Sequence, residues 1–339
     1  MKRIMFIALL GAVVFTLAAA GPASAAAKWN IKFGHDQPEK SPHHDGALYF
    51  KKLVEEGSQG EIEVKIFPSQ LLGTGLQMSE MVQAGALEVL AIPTSNMQVL
   101  HPALQVLDLP FLFPDRESLF RVLDGDFTDN LYKPLAARNI IGLHWIISGF
   151  KQFTGNFPIR RPEDFKGHKI RVMPAPIIRE QFKALGASPV PIDFQELYNA
   201  LQQGVVDGQE NPLTTIVTMK FYEVQKYMTL DGHSYGADFI LINDKFYQSL
   251  PKETQLAIKR AAIIAGWAGR SIQQINSAIG VSQLQEKGMQ VYKPNEKEMA
   301  MFKDATQKPV IEYIESQVGR AWVDKVMKAV KDAEAELAK

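Results

Sequence analysis

The chain has no cysteine. Disulfides therefore play no part in holding it together, and a chain of 339 residues does not need them to bury a core. It has no excess of either charge, with 37 Lys and Arg against 37 Asp and Glu. That balance leaves no electrostatic footprint for nucleic acid and no polybasic patch for a membrane surface. Enzyme signatures are missing too: there is no G-x-S-x-G elbow, no phosphate loop and no H-E-x-x-H pair. Gly73-Thr74-Gly75 fails as a dinucleotide fingerprint, because Met78 stands where the third glycine belongs and no strand leads into it. His43, His44 and Asp45 lie together, but adjacent helical histidines point in different directions and no further pair has metal-ligand spacing. No enzyme, cofactor or metal site is expected.

What is present begins with a leader. Lys2 and Arg3 form a charged start, Ile4 to Leu17 an apolar run, and Ala23-Ser24-Ala25 a small-residue cleavage site. A membrane anchor is the alternative, since the run is near the lower limit for a span. The cleavage site and the lack of a basic stop-transfer flank favour a cleaved signal over residues 1–25, with the cut after Ala25 or Ala27. Losing Lys2 and Arg3 leaves the mature chain with two net negative charges. An exported chain without cysteine fits a bacterial periplasm, with no stable membrane insertion of the mature protein. Its length suggests two domains.

The mature chain opens with the alternating strand WNIKFG. Ser41-Pro42 then starts a helix that Gly57 ends. EIEVKIF is a second strand, SEMVQAG a short helix and LEVLAI a third strand. This β-α-β-α-β order calls for a parallel sheet covered by helices. The pattern recurs about 140 residues on. There KIRVM, PIIREQFKALG, SPVPI and DFQELYNALQQG lead into a strand that starts at VVDGQ, and Asp193 with Glu196 reads as a capping box. Two α/β lobes are therefore expected, with NIIGLHWIISGF and ADFILIN as crossing strands. After Pro251 more than thirty residues carry helical spacing without proline, too polar for a membrane span and long enough to lie across both lobes. The stretch from Ile311 to the end reads as one packed terminal helix.

Ligands in open parallel sheets sit beyond the carboxyl ends of the strands. Those ends supply His35, Asp36 and Gln37, then Thr94, Ser95 and Asn96, then Arg171, then Gln209, Glu210 and Asn211. Arg171 stands in a short strand that Pro174 and Pro176 stop. A guanidinium fixed there matches a carboxylate with two parallel hydrogen bonds. A structural ion pair with Glu210 or Asp207 is the competing use. Asn211-Pro212 also fits an ordinary turn, and Lys151, directly after the first crossing strand, also fits a solvated position. Trp145, Phe150, Phe153 and Phe194 suit either a pocket or the core.

The segment GHKIRVMPAPIIREQFKALGASPVPIDFQELYNALQQGVVDGQENPLTTIVTMKFYEVQKY resembles the core signature of solute-binding proteins of tripartite ATP-independent periplasmic (TRAP) transporters. LDLPFLF, SGFKQFTGN and IEVKIFPSQLLG are similar to further family stretches, so the resemblance spans essentially the whole mature chain. It implies a two-lobed α/β periplasmic binding fold with a long helix spanning both lobes. It also implies capture of an organic acid and delivery to a membrane permease of a small and a large subunit. The lobes implied are 26–148 with 237–276, and 149–236 with 277–339. By resemblance Arg171 binds the ligand carboxylate, Asn211 orients it, and Phe194 closes over it. Many sialic-acid-binding members have a second arginine where Lys151 stands and an acidic residue near Pro93-Thr94. GFKQF and RVMP look more like members that bind succinate, malate or fumarate, whereas the apolar APII suits a larger monocarboxylate. The expected ligand-binding set is Arg171, Asn211, Lys151, Phe194, Thr94, His35, Gln37 and Pro174, with a four-carbon dicarboxylate as the favoured ligand.

Overall fold

The computed structural model describes residues 27–339; the export signal read in residues 1–25 lies outside the described residues. The first lobe opens with β1 (Trp29–His35), α1 (Pro42–Gly57), β2 (Ile62–Phe67), α2 (Gly75–Ala84) and β3 (Val89–Pro93). β1 pairs in parallel with both β2 and β3, as the alternating element order requires. Ser41 caps α1 by accepting from the His44 N–H at 3.2 Å, with Pro42 in the first turn. The short helices α3 (Arg116–Leu123) and α4 (Asp126–Tyr132) then lead into β4 (Ile140–Gly155).

The second lobe repeats the pattern with β5 (Lys169–Val172), α5 (Pro176–Ala184), β6 (Ser188–Pro191), α6 (Leu197–Gln202), β7 (Gly208–Pro212) and α7 (Leu213–Thr218). β5 is parallel to β6 and to β7. The chain returns through β8 (Tyr227–Thr229) and β9 (Tyr235–Asn243) to α8 (Asp244–Ser249) and α9 (Lys252–Glu286). It ends with β10 (Gln290–Tyr292), α10 (Glu296–Val318) and α11 (Arg320–Leu337).

The main sheet path runs β2-β1-β3-β9-β4-β7-β5-β6. β4 joins the two lobes. Its first part is antiparallel to β9, and its last residues are antiparallel to β7 and β8. The pairing slips twice, between Gly142 and His144 and between Ile147 and Gly149, where Gly149 takes φ +109°. Such irregularities bend a strand and let it pass from one sheet to the other. The strand also runs further than its apolar stretch suggests. Lys151–Gly155 continue it because Pro212–Gly208 offer partners, so Lys151 lies within β4 and not after it.

Three other expectations need correction. Asn211-Pro212 is no turn but the end of β7. Asp193 makes no side-chain cap, so that segment starts as a single 3₁₀ turn over Phe194–Glu196 and becomes α-helical only at Leu197. The terminal helix is two helices, because Gly319 at φ +84° breaks the chain between α10 and α11.

α9 is 35 residues long and packs on α1 and β4 of the first lobe and on α7 of the second. Phe33, Phe50, Ala261 and Ala265 fill the space between the first sheet, α1 and α9. A larger core runs under both lobes and takes in Trp145 and Phe153, so these aromatics are core. The approach of α9 to β4 is close at Gly266. A Cβ there would meet the His144 ring and would stand 2.5 Å from the Trp145 carbonyl oxygen. Backbone on one side and a partly buried ring on the other leave little room to yield. Gly266→Ala is expected to cost about 1–3 kcal/mol, read as a lower urea midpoint at unchanged slope. A midpoint equal to wild type would mean that the helix can move away from β4 freely.

Candidate functional site

The strand ends of the two lobes enclose a cavity of about 480 Å³ of atom-free space, part of it open to solvent. Asp36 and Gln37 reach it from the end of β1, Pro93 from β3, Lys151 from β4 and Gly236 from β9. The second lobe contributes Arg171, Met173 and Pro174 at the end of β5, Asp193 and Phe194 beyond β6, and Asn211 on β7. Six of the eight expected residues therefore meet in one place: Arg171, Asn211, Lys151, Phe194, Gln37 and Pro174.

His35 and Thr94 do not join that lining. His35 shares the face of β1 that carries Ile31 and Phe33 into the core, and its Nε2 lies 3.1 Å from His44 Nδ1. The residues just past it, Asp36 and Gln37, turn to the cavity instead. Thr94 is fully buried behind the wall and donates to Asp108 Oδ2 at 3.1 Å. Gln70 and Thr215 also line the cavity without having been anticipated. Gln70 follows the end of β2 and was legible by the same strand-end rule. Thr215 lies on α7 and gives no sequence signal.

Arg171 is 2% exposed. Its Nε donates to the Ile192 carbonyl oxygen at 2.9 Å, which fixes the plane of the fork. It forms no salt bridge with any described residue. The two acids that competed for it are engaged elsewhere: Glu210 lies 3.1 Å from Lys151 Nζ, and Asp207 lies 3.5 Å from His168. Burial lowers the Arg171 pKa to about 10, against the raising influence of Glu210, Asp193 and Asp36, so the group stays charged near neutral pH.

Lys151 is equally buried, but its charge is spent inside the protein. It donates to Glu210 Oε1, and His233 Nε2 lies 3.7 Å from the other oxygen of that carboxylate. His233 Nδ1 is 2.6 Å from Asp231 Oδ2, and its ring stacks on Phe153 at 4.0 Å. Burial works to raise the Glu210 pKa, yet Lys151 and His233 outweigh it and hold it below the ordinary value. Asn211 Nδ2 donates to Gln209 Oε1, and Gln209 in turn donates to Thr154 Oγ1 at 2.7 Å, so the amide row on β7 is locked.

The lobes stand closed on this cavity. Gln195 Nε2 reaches across to the Asp36 carbonyl oxygen at 2.9 Å, Gln98 Nε2 to that of Pro174 at 3.2 Å, and Thr218 Oγ1 to that of Lys40 at 3.5 Å. Behind the first-lobe wall His43 Nε2 pairs with Asp238 Oδ2 at 2.7 Å.

Several buried groups hold protons to unusually high pH. Burial, then the neighbouring Asp238, raises the Asp36 pKa to about 7, and burial raises that of Asp108 to about 7 despite Lys151. Burial opposes charge on His43 and His233, but their acidic neighbours Asp238 and Asp231 outweigh it and raise both. Burial lowers His35 to about 3 and His144 to about 4, and lowers His44 and His101 as well; these act in the opposite sense, an effect that fades as pH rises past 6.5. Near pH 7 and just above, the folded chain therefore binds more protons than the unfolded one, and stability falls as pH rises. The urea midpoint is expected to drop between about pH 7 and about 8, and to drop less in Asp36→Asn/Asp108→Asn. A midpoint that is level or rising over that window would mean that both acids are ionised throughout.

This site sits in a chain that matches the family model for bacterial extracellular solute-binding protein, family 7 (DctP), over residues 33–317. The C4-dicarboxylate-binding periplasmic protein DctP of Rhodobacter capsulatus is 35% identical over 255 residues, which is 75% of this chain and 76% of that one. A TRAP periplasmic solute-binding protein of Desulfovibrio salexigens, solved with bound orotic acid, superposes with a TM-score of 0.86 at 34% identity. That match covers 91% of this chain and 99% of the other. The sugar-acid-binding protein DctPAm of Advenella mimigardefordensis, solved with galactonate, also gives 0.86 at 32% identity, covering 90% and 98%. No helix among the described residues is long and apolar enough to cross a membrane. A two-lobed α/β chain with a cleft between its strand ends, matched along most of its length, thus belongs to family 7 of the bacterial extracellular solute-binding proteins, the DctP family of TRAP periplasmic receptors.

Proposed function

We propose that this protein is the periplasmic receptor of a TRAP transporter, and that it captures an organic acid by gripping its carboxylate on Arg171 between the two lobes. One observation carries the reading: a buried, strand-held guanidinium lines the cavity and has no carboxylate partner among the described residues. A planar fork of fixed orientation is suited to a carboxylate through two parallel bonds. Charged hydrogen bonds contribute about 1.5–3 kcal/mol each, so the pair supplies roughly half of the 8 kcal/mol that a micromolar constant requires. Asn211, Phe194 and the exclusion of water on closure supply the rest. The loaded, closed form is then read by a two-component permease.

The charge census favours an acid with a single carboxylate. Lys151 lies 3.1 Å from Glu210, so its cation is neutralised internally, and Arg171 remains as the anion site. Orotic acid and galactonate, bound by two of the solved neighbours, each carry one carboxylate, whereas two others are solved with succinate. The second reading is a four-carbon dicarboxylate. It is supported by GFKQF and RVMP and by the stated ligand class of the Rhodobacter capsulatus relative.

A thermal-shift screen against organic acids should find stabilisation without turnover. By calorimetry Arg171→Lys is expected to weaken the best acid about 100-fold, since a point charge does not replace the fork. Binding as tight as wild type would remove Arg171 from the role.

A further inference from the structure

We propose that the outer face of α9 forms a two-fold contact with a second copy of this chain. The face is exposed and apolar. Leu256, Ile264, Trp267, Ile275 and Ile279 recur on it at helical spacing, with Trp267 53% and Ile275 66% exposed. Tyr49 widens the strip. It is exposed on α1, three residues from Gly46, where α1 lies against Ala265 and Gly269 of α9. Charge is missing from the same face. From Ala261 to Gln285 the one charged residue is Arg270, and its guanidinium turns away to Asp124 at 2.9 Å and over the Trp145 ring at 4.1 Å. A helix face turned to water ordinarily carries charge. α10 and α11 do so, with Lys308–Glu312 on the first and Arg320–Asp324 and Lys328–Asp332 on the second.

The strip is matched to a second copy in symmetry, charge and area. Trp267 stands near its midpoint, between Leu256 and Ile279. Two such helices laid antiparallel about a two-fold axis near Trp267 bring each Trp267 against the other. Leu256 then lies beside Ile279 of the second copy. The pattern fits itself, as an isologous contact requires. Identical charged faces repel one another, and this face is neutral. With about half of each side chain in water, the strip and Tyr49 offer on the order of 600 Å² per copy. Two copies together clear the roughly 1,000 Å² of a specific interface. A tryptophan at the centre is also where such contacts concentrate their affinity. None of the described residues lining the cavity lies on α9, so the contact uses no residue of the ligand site.

The test is the mass of the purified mature chain in sedimentation equilibrium over a concentration series. Wild type is expected to reach twice the monomer mass, and Trp267→Glu/Ile275→Glu to weaken that association at least tenfold. Trp267→Ser serves as a second variant should the double change fail to fold, and thermal melts establish which variants are intact. Met327→Glu, at an exposed position on α11, is expected to leave the dimer unchanged. The chain has no cysteine, so Ser271→Cys on the exposed face of α9 and Met327→Cys away from it each give a single thiol. A short bismaleimide is expected to link only the first into dimers. The inference falls if wild type stays monomeric throughout the series, even where it binds another protein through this face. It falls equally if intact strip variants associate as tightly as wild type, if Met327→Glu dissociates the dimer as fully as they do, or if the two cysteine variants link alike.

Discussion

A positive charge buried without a carboxylate of its own is the constraint around which this molecule is arranged. Arg171 is anchored through Nε to Ile192, within the field of Glu210, Asp193 and Asp36 but in contact with none of them. Taking a guanidinium out of water is costly unless something else solvates it. The protein meets that cost in part with a main-chain acceptor and distant acids. On the proposed reading, an incoming carboxylate makes good the remaining shortfall.

The neighbouring lysine shows the opposite solution. Lys151 is as deeply buried, yet Glu210, His233 and Asp231 form a chain of partners behind it. The two cations occupy one cavity and differ in whether the protein has already answered their charge. On the proposed reading, that difference sets Arg171 apart as the anion site.

Much of this was legible in the residues. Alternation in WNIKFG, EIEVKIF and LEVLAI marked the three parallel strands of the first lobe, and the proline stop after KIRVM pointed to Arg171 at a strand end. What was not legible depends on partners distant in sequence. Nothing local shows that Lys151 continues a strand, because that follows from pairing with Pro212. His35 and Asp36 are adjacent and equally polar, yet His35 ends β1 on its core face while Asp36, just past the strand, lines the cavity. The break at Gly319 looks like any glycine in a helical pattern until its left-handed φ is seen. In the sequence Glu210 is a rival for Arg171, because nothing local shows that it lies beside Lys151.

The long helix α9 sets the manner in which the two halves can part. It is a continuous rod of 35 residues, roughly 50 Å at the ordinary helical rise, seated on α1 at one end and on α7 at the other. Neither half can swing independently of a beam fixed to both. Rotation has to be taken up as a shallow curve along many turns, a deformation that long helices accommodate readily. On the proposed reading of lobe closure, parting the halves bends this rod together with the β4 crossing, whose pairing already slips beside Gly149.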